Sequence, residues 1–244
     1  MIELAVFWLL VSATLVLGGW QIYARKSARE WVLDLAGLVV QGTLIPILQV
    51  VVVIAGLRWL VPGAEGTIAA PAWLGFLLSF VAVDYLYYWN HRALHGRTLW
   101  PIHRVHHTVS AMDVLGTARN TLWTSLAIVY LWAHGTLVFL LDGGGAAGYL
   151  AGVTATVALD MWRHSALGPR PGSALGLVLI TPADHAWHHA AGARAGNFGA
   201  NLSLWDRLHG THLTIDRLPE RIGAAAESLP VWRQLVWPFV RGER

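Results

Sequence analysis

Five runs of apolar residues, separated by short polar segments, organise the chain. Residues 4–23 form 20 positions without a charge, 35–57 form 23, and 66–83 form 18, with apolar character continuing through Trp89. Residues 120–141 add 22 more and 143–159 another 17. A membrane-spanning helix needs about 20 such positions, with a range of about 17–25. The pattern therefore predicts an all-α, polytopic membrane protein with about five hydrophobic helices. Asp142-Gly143-Gly144-Gly145 joins the last two runs as a tight hairpin, and Pro46 is expected to kink the second helix. The first run reads as a retained helix rather than a signal peptide. Glu3 stands where a basic region belongs, and no small-x-small site precedes Arg25 and Lys26. Residues 171–183 are apolar but too few to span, so they are expected at the interface or buried. Residues 229–240 carry Trp232, Trp237 and Phe239 beside Arg233, and either lie on the membrane surface or pack on the polar end of the bundle. With no repeat and no clear boundary, 1–244 is expected to be one integral membrane domain, with a tail over 216–244.

Charge gives this array a direction. Sixteen of the 17 Lys and Arg residues fall on one side: Arg25, Lys26 and Arg29, then Arg92, Arg97, Arg104 and Arg119, then nine Arg from Arg163 onward. Only Arg58 falls on the other. The excess of basic residues on cytoplasmic loops places the larger set in the cytoplasm, and the short loops alone give the same answer. A composition rich in Ala, Gly and Arg with a single Lys suggests a bacterial inner membrane. Hydrophobic residues make up 55% of the chain and charged ones 13%, which excludes intrinsic disorder. The net charge of +3 comes without a basic motif, so no nucleic-acid partner is expected. There is no cysteine, which excludes disulfides, thiolate zinc sites and an iron–sulfur centre within the chain.

The chemistry lies in the 12 histidines. Five fall within 17 residues: His91, His95, His103, His106 and His107. Three more, His185, His188 and His189, fall within five. His91 and His95 stand i, i+4 on one helical face. His103, His106 and His107 are spaced i, i+3, i+4, and His185, His188 and His189 repeat that spacing. Such sets can converge on one ion or on two adjacent ones. Neutral imidazole suits Zn, Cu, Fe and Ni. Eight histidines exceed the needs of one tetrahedral zinc, so two metals at higher coordination fit the count better. His164 is a ninth candidate at the end of the fifth run, with Asp160 one turn before it as a ligand or a group that orients an imidazole. Asp84, two turns before His91, is a rare carboxylate in an apolar helix and a candidate for the same supporting role. His134 reads as a satisfied core residue, and His209 and His212 as pocket or surface residues. No catalytic residue is identified beyond the metal ligands.

Four blocks in order carry a resemblance. They are Asp84-Tyr85-Leu86-Tyr87-Tyr88-Trp89-Asn90-His91-Arg92-Ala93-Leu94-His95, Leu99-Trp100-Pro101-Ile102-His103-Arg104-Val105-His106-His107, His164-Ser165 with Thr181-Pro182-Ala183-Asp184-His185-Ala186-Trp187-His188-His189, and Asn197-Phe198-Gly199-Ala200-Asn201-Leu202-Ser203-Leu204-Trp205-Asp206-Arg207-Leu208 with Gly210-Thr211. The chain resembles the fatty acid hydroxylase/sterol desaturase superfamily of membrane-bound non-haem di-iron oxygenases, with a core over about 73–215. The resemblance implies a His-rich helical cap on the cytoplasmic side. It implies that His91, His95, His103, His106, His107, His164, His185, His188 and His189 hold two Fe ions. Asp160 stands where some relatives carry a further histidine. The implied reaction is O2-dependent attack on a C–H bond of a membrane lipid, fatty acyl, sterol or related, ending in hydroxylation or desaturation. With no redox centre of its own, the chain would need an external electron-transfer protein on the cytoplasmic face, where the arginine excess favours an acidic partner. The rival is a zinc-dependent membrane hydrolase using the same histidines. It would need a general base beside the metal, and no Glu lies within any of the three clusters. A metal transporter would place its ligands midway along the helices rather than at one end.

Overall fold

The computed structural model describes residues 1–213, 215–224 and 230–236. Among them the structure is helix and loop, with isolated bridging pairs and no strand. Of the second terminal apolar stretch, Val231–Val236 is helical, with Trp232 exposed and Gln234 buried, while Leu229, Trp237 and Phe239 lie outside the described residues.

Three helices are long and apolar enough to cross a membrane: α1 (Ile2–Ala24), α2 (Ala28–Leu60) and α3 (Ala72–Leu94). Their outward faces are apolar, as Leu9, Val16, Val52 and Trp59 illustrate. Within α1 the backbone kinks at Gly18, whose φ of +85° a residue with a Cβ rarely adopts. α2 starts at a capping box in which the Ser27 hydroxyl accepts from the Glu30 amide and the Glu30 carboxylate accepts from Ser27. The helix runs on through Pro46, flanked by widened turns at Val40–Leu44 and Val50–Ile54. Proline lacks an N–H and crowds the preceding turn, and wider turns take up the mismatch.

The fourth apolar run departs from the expectation of one spanning helix. It holds a single turn at Thr124–Ala127, an extended residue at Ile128 (ψ 130°), and then α5 (Val129–Leu140); α4 is the short Trp100–His103 helix before it. Twelve residues rise about 18 Å, short of the roughly 30 Å hydrocarbon core. The break is built rather than frayed. Asn90 donates from Nδ2 to the Ala127 carbonyl at 2.8 Å, and its Oδ1 accepts the Val129 amide at 3.2 Å. One side chain thus satisfies the backbone groups freed on both sides, as irregular backbone at membrane depth requires. After the Asp142 cap comes α6 (Gly143–His164), 22 residues or about 33 Å long. It is more polar than the three long helices.

α3 and α6 pack closely because small residues line their contact. A Cβ on Gly75 would lie 2.1 Å from the Gly145 oxygen, and one on Gly148 would lie 1.8 Å from the Ala72 oxygen. Such close approach is how helices gain packing energy in lipid. It also sets side by side the ends of α3 and α6, which carry His91 and His164. Gly148→Val is expected to destabilise the protein by about 1–3 kcal/mol through overpacking. Gly56→Ala, where nothing lies within 4 Å, should be neutral or stabilising. Thermal midpoints in one detergent check both; equal midpoints for Gly148→Val and the parent chain would contradict the packing argument.

Candidate metal centre

The histidines sit where helices end. His91 occupies the last turn of α3 and His95 follows its C-terminus. α4 presents His103, and a tight turn over His106–Thr108 presents His106 and His107. His164 closes α6. α7 (Pro182–His188) carries His185 and His188, with His189 as its C-cap. The start of α7 is written in Thr181-Pro182-Ala183-Asp184. Thr181 caps the helix, proline fills the first position, where no N–H is needed, and the Asp184 carboxylate accepts from both the Thr181 amide (2.9 Å) and hydroxyl (2.6 Å).

These segments bring the nine histidines into two groups. His91, His95, His103, His107 and His188 form one, and His106, His164, His185 and His189 form the other. Within each group the ligand atoms lie within 4.8 Å of one another, close enough to hold a metal ion. The spacing now has a geometric meaning. Partners at i, i+4 share a group, while the neighbours His106/His107 and His188/His189 divide between groups. The groups adjoin: His107 stacks on His189 with ring centroids 4.3 Å apart.

Carbonyl groups fix the orientation of four rings. Nδ1 of His91 donates to the Phe198 oxygen (2.8 Å), that of His188 to Gly196 (2.7 Å), that of His106 to Arg119 (3.2 Å) and that of His164 to Asp160 (2.7 Å). A carbonyl only accepts, so Nδ1 carries the proton, and in the neutral form of such a ring Nε2 is the atom with the free lone pair. Those Nε2 atoms converge: His91 to His103 at 3.0 Å, His95 to His188 at 3.2 Å, His185 to His164 at 2.9 Å and His164 to His106 at 3.2 Å. Crowded lone pairs without enough protons between them are a donor set that a cation completes, so the residues fit two metal ions. Burial, then the neighbouring imidazoles, pushes His103, His106, His107, His185 and His189 well below the ordinary imidazole value. Burial takes His95 down to about 2 and His188 to about 4. All seven are neutral near pH 7, as metal ligation requires.

The two carboxylates singled out in the sequence belong to neither group. Asp160 lies behind His164: its Oδ1 is 3.1 Å from His164 Nδ1 and 2.5 Å from the Arg163 guanidinium, on the Nδ1 side of the ring, where the Asp160 carbonyl accepts the proton. Asp84 holds a loop. Its oxygens accept from the amides of Ala200 and Asn201 (2.9 Å each) and Leu202 (3.0 Å), and from the Trp205 indole (2.8 Å). That loop adjoins Phe198, whose carbonyl orients His91. His134 donates to or accepts from the Tyr149 hydroxyl at 2.8 Å inside the bundle. His209 stacks on Tyr88 and contacts Tyr85, and His212 lies 3.9 Å from Asp184.

Sequence reasoning assigned no role to several supports, Asn197 and Asn201 of the fourth block among them. Arg119 is fully buried; its Nε binds Asp34 of α2 at 2.6 Å while its carbonyl orients His106. Lys26 bridges Asp34 (2.5 Å) and Asp113 (2.7 Å), completing a buried network of two cations and two anions. Asp206 accepts from the amides of Phe198 (2.8 Å) and Gly199 (2.7 Å). Asn197, in the left-handed region at φ 54°, ties the Asp184 carbonyl to the Leu213 amide. Asn201 links Phe80 of α3 to Thr156 of α6. These pairs lie beyond the reach of helical spacing, from seven residues for Asp206 and Gly199 to 121 for Asn201 and Phe80. The one available signal was that charged residues within or beside apolar runs need partners.

Two outcomes follow from this geometry. In the metal-free protein, a histidine whose value is lowered on folding stabilises the fold above its unfolded value of 6.5, and that contribution is lost as pH falls through 6.5 toward the folded value. The metal-free thermal midpoint should therefore drop below about pH 6.5, at up to about 1.4 kcal/mol per pH unit for each such histidine. Adding Zn2+ or Co2+ should move the acid limb to lower pH. A midpoint flat from about pH 7.5 to about pH 5 would contradict this. Asp84→Asn should lower the midpoint by several degrees, because an amide nitrogen then faces N–H donors, at a cost of about 1–3 kcal/mol.

Residues 76–211 match the family model described as fatty acid hydroxylase. An ornithine lipid hydroxylase from Rhizobium tropici is 30% identical over 138 residues, 55% of this chain and 40% of that protein. An alkylglycerol monooxygenase from Danio rerio is 29% identical, covering 57% of this chain and 30% of the relative. A fatty acid hydroxylase from Lecanicillium is 28% identical, with 57% and 42% covered. The chain thus spans less than half the length of these relatives. No solved structure gives a significant match. The matched region contains every histidine of both groups and each carbonyl that orients them, and the chain belongs to the fatty acid hydroxylase family.

Proposed function

We propose that this chain is an O2-dependent lipid oxygenase, a hydroxylase or a desaturase, whose nine histidines hold two iron ions. The observation that carries the reading is the pair of adjoining groups, five and four, built wholly from imidazole nitrogen donors at and beyond helix ends. Bound iron would supply O2 activation and oxidation of an unactivated C–H bond. The chain supplies the rest. His91, His106, His164 and His188 are locked by their carbonyls, and Trp100 packs on His95 and His107 at 5.2 Å, closing one side of the five-histidine group. A membrane lipid would enter sideways from the bilayer along α3, α5 and α6, and its placement against the histidines decides between hydroxylation and desaturation. The names of the relatives, ornithine lipid hydroxylase and alkylglycerol monooxygenase, favour hydroxylation. The reaction needs two electrons from a separate donor protein. The basic side of the chain, cytoplasmic by its Lys and Arg distribution, is the face for it.

The zinc-hydrolase alternative loses ground on the carboxylates. A hydrolase needs a general base near its metal. Among the described residues no carboxylate joins either group. Asp84, Asp184 and Asp206 are each committed to N–H or O–H donors, and Asp160 is paired with the Arg163 guanidinium.

Lipids from cells making the intact chain, compared with those making His106→Ala under heavy oxygen, test the proposal. The host must supply the lipids and a working electron donor. A lipid gaining one heavy oxygen only with the intact chain is the expected result, whereas loss of two hydrogens would make it a desaturase. Identical lipid profiles would overturn the oxygenase reading. Purified protein should carry two irons, with His95→Ala and His189→Ala each losing about one, and Asp160→Asn should weaken metal binding by about 10–100-fold. Equal iron content in all four proteins would refute the assignment of the groups.

A further inference from the structure

A cavity of about 620 Å3 is lined by none of the nine histidines, although Ser165 and Ala186 of its wall adjoin His164 and His185 in sequence. Its volume falls in the range of small-molecule sites, roughly 300–1,000 Å3. Ile22, two residues before the end of α1, forms part of the wall, and so do Met112, Ala183 and Ala186. α1 is a membrane-spanning candidate, so a wall built at its end belongs at the level where lipid headgroups would meet the hydrocarbon.

Two cations complete it. Arg170 and Arg221 come from separate segments, line the same cavity and are exposed. Neither guanidinium has a partner among the described residues. The acidic lining residue, Glu220, faces Arg217 at 3.9 Å. An isolated surface arginine extends into water and needs no ligand. Two that share an apolar trough at the interface are a different arrangement. A guanidinium pairs with the oxygens of phosphate or carboxylate through parallel N–H donors. The apolar wall takes a hydrocarbon chain, and water alone would gain little there. Basic pockets at this depth recognise lipid headgroups by the same forces.

We propose that this cavity binds an anionic lipid, its phosphate or carboxylate head on Arg170 and Arg221 and one chain against Met112, Ala183 and Ala186. The site is separate from the metal centre and does not rest on the oxygenase reading. Its occupant touches the histidine-bearing segments from outside. Ala183 and Ala186 share α7 with His185 and His188, and Ser165, which also lines the cavity, follows His164. Binding therefore stabilises the metal-bearing end of the protein by mass action.

The test uses the full chain in detergent, with lipid retention read by native mass spectrometry and thermal midpoints measured in parallel. The probes are phosphatidylglycerol, phosphatidylcholine and inorganic phosphate. The intact protein should retain one phosphatidylglycerol in preference to phosphatidylcholine and gain in midpoint. The Arg170→Gln/Arg221→Gln double variant should lose about tenfold or more in affinity for phosphatidylglycerol, with unchanged metal content and lipid-free midpoint. Ala183→Trp, which fills the wall, should also reduce retention while both arginines remain. Equal retention of the two lipids, or retention unaffected by the double variant, would overturn the proposal. Inorganic phosphate competing as well as phosphatidylglycerol would reduce the site to an anion site and overturn its lipid part.

Discussion

The centre depends on one constraint: a neutral imidazole can offer a lone pair in one direction only if its proton is held in the other. At His91, His106, His164 and His188 a backbone carbonyl holds that proton. Most of the unusual features of the structure serve to keep those carbonyls still. Asp206 grips the amides beside Phe198, and Asp84 grips the next three residues of the same loop. Asn197, in its left-handed conformation, pins the following turn to α7. Arg119 carries the acceptor for His106 and is itself anchored on Asp34. Buried carboxylates therefore act on the centre through backbone and not by joining it.

The anchoring reaches into the membrane helices. Asp34 lies in α2 and Lys26 in the turn before it, while Asp113 and Arg119 flank the segment after His107. A buried network of four charges rarely adds stability, because desolvation offsets the attraction. Losing one partner, however, strands the others, so the arrangement enforces a single register of α2 against the cap. Gly37 works alongside it: a Cβ there would sit 2.2 Å from the Ala118 oxygen, one residue from Arg119. Close helix packing and a paired charge network thus fix the same segment that orients His106.

Much of this was legible in the sequence, and what was not has a common cause. The long runs gave α1, α2 and α3 because apolar length is a local property. The i, i+4 spacing placed His91 with His95, and His185 with His189, because helical faces are local too. Which histidines belong together across segments was not legible, since the split of His106 from His107 depends on where α6 and α7 end. The fourth run misled for the same reason. Its composition suits one spanning helix, and only Asn90, some 37 residues away, supplies the hydrogen bonds that make a break at Ile128 affordable. Asp84 stands out in the sequence as a carboxylate in an apolar run, yet its partners lie 116 to 121 residues on, beyond the reach of any spacing rule.

The choice of histidine over carboxylate has a consequence for assembly. Four or five carboxylates packed within hydrogen-bonding distance would repel one another and pay heavily for desolvation until cations arrived. Such a site can close only around its metal. Neutral imidazoles carry no such penalty. Burial lowers the proton affinity of His103 and His185, so near pH 7 such rings stay uncharged and come together without the charge repulsion that carboxylates would meet. Helix packing and the charge network can therefore bring the rings together and aim their donor atoms with no charge on the rings to oppose it. That need for direction also explains why the supports extend so far from the histidines. Rings that carry no charge have little electrostatic reason to stay oriented, and the carbonyls, Asp84 and the Asp34–Arg119 pair provide the direction that the ligands themselves lack.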